Sequence, residues 1–307
     1  MNQEEILKYF SNLNIYRRGN RRAPHKPLLI LIAISKFQQG QINLSYEEIE
    51  QALKPLLNAY APPVSGSHQP ELPYWYLQSD KLWEVSDAET LPRQLGGFPK
   101  KSGLRKSSGR FPSRVLQCFQ EDKNFAKQVV TIILNQHFPE SLHEDILSAV
   151  GITFPTINKA QEQSGTYLNT KKRDPKFRER ILRAYEYQCA LTGFRAALSG
   201  AYFGCEAAHV QWHAYGGPDN VDNGLCLEPT MHKLFDAGAW TLSDEHQVLV
   251  SEHFTGSDSA IDRLRALHGQ TIRSPLPGQP KISRRYMRWH RNRNEGGVFR
   301  EPALPLT

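Results

Sequence analysis

Three hundred and seven residues are more than one hydrophobic core usually holds, so two domains are expected. Hydrophobic residues at 39%, with 20 Pro and 21 Gly, exclude a disordered tail protein and a collagen-like one. Lys and Arg outnumber Asp and Glu by 38 to 31, a mild excess whose distribution matters more than its size.

Along the chain, Ile6, Leu7, Phe10 and Leu13 recur at helical spacing and predict a first helix. Pro24-His25-Lys26-Pro27 leads into an apolar helix from Leu28 to about Phe37, with Pro27 suited to its first turn. Ser45-Tyr-Glu-Glu48 is a capping box that opens a third helix reaching about Asn58. A proline-rich loop runs from Ala61 to Glu71, and Tyr74–Gln78 with Leu82–Val85 predict a hairpin dense in aromatics. A basic stretch rich in Gly, Lys and Ser follows, and helices near Asn124–Gln136 and Glu140–Ala149 close a first domain of residues 1–155. Residues 156–173 read as a polar linker to a second domain of residues 174–307. There, Asp174-Pro175 caps and starts a helix through Tyr187. Beyond it the pattern predicts strands, turns and one short helix, then a tail rich in Pro and Arg.

The charge falls in clusters. Arg93, Lys100, Lys101, Arg105, Lys106, Arg110 and Arg114 lie between Thr90 and Gln120 with no acid among them. A second cluster spans Lys281 to Arg300 with only Glu295 opposing, and a third holds Arg17, Arg18, Arg21, Arg22 and Lys26. Each alone could be a solvated loop, but three together favour a polyanion partner, because neutralising phosphates releases counterions. The apolar runs fall well short of the roughly 18 residues that span a bilayer, and Met-Asn-Gln-Glu-Glu lacks the features of a secretory signal. With Cys118, Cys189, Cys205 and Cys226 in no Cys-x-x-Cys pair, a cytoplasmic protein with reduced thiols and no membrane partner is expected.

Chemistry concentrates in Cys205-Glu-Ala-Ala-His209-Val-Gln-Trp-His213-Ala-Tyr-Gly-Gly-Pro-Asp219, continuing through Asp222-Asn223 to Met231-His232-Lys-Leu-Phe-Asp236. His209 ends a predicted strand, Asn223 lies in a turn, and His232 and Asp236 share one face of a short helix at i, i+4. Such a unit can aim one imidazole at a water while helix side chains hold a divalent ion, the division of labour that phosphodiester hydrolysis needs. The pattern resembles the HNH, or ββα-metal, nucleases. The resemblance implies His209 as general base, Asn223 as a brace that orients it, and His232 with Asp236 as ligands of Mg²⁺, Mn²⁺ or another divalent ion. Ala208 departs from the family, where an acid or histidine often precedes the base; Glu206, on the same strand face, is the candidate substitute. Cys189, Thr192, Glu228 and Met231 stand where relatives carry zinc ligands, so no structural zinc is expected.

Arg21-Arg-Ala-Pro-His-Lys-Pro-Leu-Leu29, Leu72-Pro-Tyr-Trp-Tyr-Leu-Gln78, Gly96-Gly-Phe98 and His137-Phe-Pro-Glu-Ser-Leu142 resemble the sulfur-binding domain of phosphorothioate-dependent restriction endonucleases. By that resemblance Pro73, Leu72 and Tyr76 form an apolar dimple flanked by His25 and Lys26. Arg93 is the nearest arginine to the Gly-Gly-Phe turn, while Lys100, Lys101 and Arg105 grip phosphates. The expected fold class is therefore α+β: a mainly helical N-terminal DNA-reading domain with a β-hairpin, then a C-terminal ββα-metal domain. The expected partner is double-stranded, phosphorothioate-modified DNA, cut by a homodimer or by sequential nicking. Two alternatives stand: a nuclease reading another modification or plain sequence, and a catalytically inactive DNA-binding sensor.

Overall fold

The computed structural model describes residues 3–15, 17–18, 21–64, 66–153, 174 and 176–306. The chain forms two compact units, one from residues 1–16 and 23–170, the other from 17–22 and 171–307. The linker expected at 156–173 lies outside the described residues.

In the first unit, α1 (Gln3–Ser11) buries Ile6 and Phe10, one turn apart. The short strands β1 (Arg17–Arg18) and β2 (Arg21–Arg22), which belong with the second unit, pair antiparallel. Helix α2 (His25–Gln38) is buried continuously from Lys26 to Ser35, as its unbroken apolar run requires. Strand β3 (Leu44–Ser45) leads into α3 (Tyr46–Tyr60), whose capping box forms: the Ser45 hydroxyl accepts from the Glu48 N–H, and the Glu48 carboxylate accepts from the Ser45 N–H at 2.8 Å.

The expected aromatic hairpin is absent. Residues Glu71–Tyr76 form α4, which runs into a 3-10 turn at Leu77–Asp80, and only β4 (Glu84–Val85) is strand. Pro70 caps α4 and Pro73 sits in its first turn, where a missing N–H breaks no helical bond. Tyr74 and Leu77 are both buried at the spacing of one helical turn, a period hidden by the aromatic content. The basic stretch contributes α5 (Lys101–Leu104) and β5 (Ser108–Arg110), the middle strand of the sheet β3-β5-β4. Helices α6 (Ser113–Glu121), α7 (Lys123–His137) and α8 (His143–Val150) complete the unit; α6 was not expected.

In the second unit, α9 (Phe177–Ala184) is shorter than expected, and the left-handed backbone at Glu186 and Tyr187 ends it. Strands β6 (Ala196–Leu198) and β7 (Ala201–Phe203) form a hairpin. Strand β8 (Glu206–His209) pairs antiparallel with β9 (Gly224–Leu227), setting His209 opposite Gly224, and α10 (Pro229–Asp236) follows. This ββα unit packs on Phe177 and Ile181 of α9 and on Trp240 of β10 (Trp240–Leu242), which pairs with β11 (Val248–Val250). After α11 (Asp258–Arg265), the Arg-rich stretch forms α12 (Arg284–Arg291), so among the described residues three helices follow α9 rather than one. Helix α12 buries Tyr286, Met287, Trp289 and His290, while Arg288 and Arg291 pair with Asp244. The stretch is a packed element, not a free basic tail. Among the described residues, no helix is long and apolar enough to cross a membrane.

Candidate functional site

Strand β8 delivers His209 to the end of the ββα unit, where its ring stacks on Phe177 at 4.0 Å with 12° between the planes. His209 Nε2 lies 2.8 Å from Asp219 Oδ1, and Asp219 Oδ2 accepts the backbone N–H of Asp174 at 2.7 Å. A carboxylate can only accept, so Nε2 carries the proton and the lone pair of the neutral ring is on Nδ1. Burial pushes the Asp219 carboxyl up, but the Asp174 N–H and His209 outweigh it and hold the group below the usual carboxylate range.

Asn223 is fully buried. Its Oδ1 accepts the Gln211 N–H at 2.8 Å, and its Nδ2 donates to the carbonyls of Gln211 and Pro218 at 3.0 and 2.9 Å. Because Pro218 directly precedes Asp219, Asn223 reaches His209 through the loop. Gly217 is required there: a Cβ would lie 1.8 Å from the Gln211 carbonyl oxygen. His213 Nε2 lies 3.9 Å from Asp219 Oδ2, beyond direct hydrogen bonding.

On α10, His232 stands between two carboxylates. Its Nδ1 is 2.7 Å from Glu206 Oε2 and its Nε2 is 3.1 Å from Asp236 Oδ2. Burial works against the charged ring, yet Asp236 and then Glu206 raise its pKa to about 9. Asp236, expected as the second metal ligand, has both oxygens engaged: Oδ1 accepts the Trp212 indole N–H at 2.8 Å, and Oδ2 faces His232. Its side chain is 1% exposed against 45% for Glu206, so Asp236 stands behind His232 while Glu206 stands at the open side. Ala208, on the Glu206 face of β8, is buried.

One imidazole nitrogen and one accessible carboxylate suit Mg²⁺ or Mn²⁺, which keep several waters and take their remaining oxygens from phosphates. Among the described residues, no three His, Cys, Asp or Glu side chains are placed to hold an ion unaided. At the four positions weighed for a structural zinc, the Thr192 N–H donates to Cys189 Sγ at 3.4 Å, Glu228 accepts from Arg263 at 2.5 Å, and Met231 is buried. Burial pushes the Cys205 and Cys226 thiols up, away from the thiolate a metal needs.

In the first unit, Leu72 and Tyr76 are exposed one turn apart on α4, with Pro73 buried between them. Tyr76 and Trp75 approach Phe98 with ring centroids 5.7 and 6.5 Å away, and Leu95 is fully exposed at the Gly96-Gly97 turn. Arg93 is a strut of that turn: it donates to the carbonyls of Gly97 and Ala88 at 2.8 and 3.0 Å and lies over Trp75. His25 Nε2 is 3.2 Å from Nδ1 of His68, a residue not anticipated.

Lys26 is not a surface contact: its Nζ is buried, 2.5 Å from Asp80 Oδ2 and 2.8 Å from the Asn14 carbonyl, tying the start of α2 to the turn after α4. Lys101 pairs with Glu50 at 2.6 Å, whereas Lys100, Arg105 and Lys106 are exposed. Sequence reasoning gave no role to Asp219, Phe177 or Trp212. The Gly-Gly-Pro-Asp run was the one local signal; the other two are set by packing.

Residues 3–154 match the family model of the ScoMcrA-like DNA sulfur-binding domain, and residues 189–243 match that of an HNH endonuclease. Among solved structures, the sulfur-binding domain of ScoMcrA complexed with phosphorothioated DNA is 22% identical, with a TM-score of 0.42 over 47% of this chain and 96% of that one. The phosphorothioation-dependent type IV restriction endonuclease ScoMcrA is 22% identical, with a TM-score of 0.41 over 47% of this chain; the match spans 32% of that longer structure. The sulfur-binding domain of SprMcrA with phosphorothioated DNA is 17% identical, with a TM-score of 0.41 over 50% of this chain and 95% of that one. No curated protein matches the chain.

Proposed function

We propose that this chain, which joins a ScoMcrA-like DNA sulfur-binding domain to an HNH endonuclease domain, docks on phosphorothioate-modified double-stranded DNA and hydrolyses phosphodiester bonds near the mark. The observation that carries the reading is the ββα centre, where His209 is held by Asp219 and a second histidine, His232, is held with an accessible carboxylate, Glu206. His209 acts as general base, taking a proton from water on Nδ1. Asn223 fixes the loop that holds it. His232 and Glu206 would hold the divalent ion, and Asp236 would orient His232 from behind, as carboxylates commonly do for ligating histidines. A bound ion there supplies charge neutralisation at the scissile phosphate and leaving oxygen.

Docking follows from the chemistry of sulfur. A nonbridging sulfur is larger and more weakly hydrated than oxygen, so apolar surface such as Leu72 and Tyr76 favours it, while exposed cations bind phosphates of either kind. One centre per chain must act twice, or two chains together, to cut both strands. The test is incubation with Mg²⁺ or Mn²⁺ and matched plasmids with and without phosphorothioate. Only the modified plasmid is expected to be cut. His209→Ala is expected to abolish cutting while binding stays within a few-fold. Equal cutting of both plasmids would assign the chain to another mark or plain sequence, and binding without cutting under any metal would make it a sensor.

A further inference from the structure

We propose that Asp219 is the positioning residue of the nuclease centre, fixing the tautomer of His209 and balancing the charge that the ring acquires; this rests on the endonuclease reading above. In the step it serves, a water O–H bond breaks and its proton moves to His209 Nδ1. The water oxygen forms the new P–O bond, the P–O bond to the leaving oxygen breaks, and that oxygen takes a proton from solvent. The imidazolium so formed carries its other proton on Nε2, 2.8 Å from the Asp219 carboxylate.

Three observations support the pairing. Both partners are largely shielded, with side chains 11% and 14% exposed, so solvent screens their attraction weakly. The carboxylate is itself fixed: the Asp174 N–H holds Oδ2, Arg180 donates to the Asp219 carbonyl at 2.7 Å and to Asp174 at 2.7 Å, and Asn223 holds the preceding carbonyl. Among the described residues, Phe177, His213, Asp174, Arg180 and Asp222 stand around the pair. Phe177 covers one face of the His209 ring, and the His213 ring lies 5.8 Å away. Asp174, Arg180 and Asp222 line a cavity together with Asp219. Asp219 is ionised at neutral pH, since its neighbours hold it below the usual carboxylate range. An anion at this distance keeps the proton on Nε2 and favours the imidazolium of the transition state.

The experiment uses the full chain labelled with ¹⁵N-histidine, with His209 assigned by its absence in His209→Ala. Wild type is expected to show the Nε2–H tautomer at His209, and Asp219→Asn to lose that preference. Single-turnover cleavage should fall by about 10²-fold or more in Asp219→Asn. The acid limb of its pH–rate profile should move to lower pH, because no anion then favours the charged ring. Binding to modified duplex should stay within a few-fold, and Asp219→Glu, which keeps the charge, should cut faster than Asp219→Asn. An Nδ1–H tautomer in wild type overturns the proposal without any variant. So does cleavage by Asp219→Asn within about threefold of wild type, or a loss of cleavage with tautomer and pH profile unmoved. If wild type cuts no DNA yet Asp219→Asn alters the tautomer, the pairing stands and the endonuclease reading fails.

Discussion

His209 meets a carboxylate at Nε2, whereas His232 meets carboxylates at both nitrogens, and on the proposed reading the two rings do different work. A ring whose proton a carboxylate fixes on Nε2 suits a base, and a ring held from behind by a buried acid suits a ligand. The assignment separates Glu206 from Asp236, which sequence spacing alone made the ligand beside His232. Glu206→Gln is expected to weaken Mn²⁺ binding by about tenfold or more, read by calorimetry or by the free-Mn²⁺ resonance. Its melting temperature should barely change, because Glu206 is half-exposed. Asp236→Asn should cost about 1–3 kcal/mol of stability, since it disturbs a buried acceptor shared by Trp212 and His232. Should Glu206→Gln bind Mn²⁺ like wild type while a folded Asp236→Asn does not, the ligand beside His232 is Asp236 after all.

At the scale of elements, α12 locks onto the back of the ββα unit through His290. That ring stacks on Phe235 of α10 at 3.8 Å, its Nε2–H donates to the Phe235 carbonyl at 3.2 Å, and its Nδ1 accepts from Thr241 at 2.8 Å. Burial pulls its pKa down to about 3, opposed only in part by Asp236 and the Phe235 carbonyl. A depressed pKa means that the unfolded chain binds the proton first. The stability from neutral His290 is present above about 6.5 and is lost as pH falls towards about 3. Relative to His290→Phe, wild type should lose about 1.4 kcal/mol per pH unit across that window, measured by denaturant unfolding. A gap that stays constant with pH would mean an ordinary histidine. None of this was legible in the sequence, where four arginines among eight residues hid the apolar face of α12 and Asp244 lies some forty residues away. What was legible is local: the Ser45–Glu48 box, and the His209, Asn223, His232 and Asp236 spacing, which one strand, one turn and one helix determine. Helix α4 was misread because six residues form no stable helix alone, and the burial of Tyr74 and Leu77 decides the matter. Glu206 was visible only as a face-sharing residue on β8, since its partner His232 comes from α10.

Over the whole molecule, the count of 38 Lys and Arg overstates what is offered to DNA, because several of these cations are already paired with carboxylates. Lys26 is held by Asp80, Lys101 by Glu50, Arg110 by Glu84, and Arg288 and Arg291 by Asp244. Lys100, Arg105 and Lys106 are exposed on the first unit, and Leu72 and Tyr76 are exposed on α4 of the same unit. The two sets should therefore act through different physics. Neutralising Lys100, Arg105 and Lys106 to Gln should weaken modified and plain duplexes alike. It should flatten log K against log salt by roughly 0.9 for each phosphate no longer neutralised, because fewer counterions are released on binding. Arg288→Gln should leave that slope unchanged. Leu72→Ser with Tyr76→Ser should do the reverse, erasing most of the preference for modified DNA while the slope stays put, because hydroxyls hydrate a surface that sulfur favours dry. The measurement is a titration of each variant on both duplexes between about 50 and 200 mM salt. If the Leu72/Tyr76 variant stays folded and keeps the full preference, sulfur is read elsewhere on the domain; if Arg288→Gln flattens the slope as much as the triple variant, α12 belongs to the DNA surface despite its pairing with Asp244.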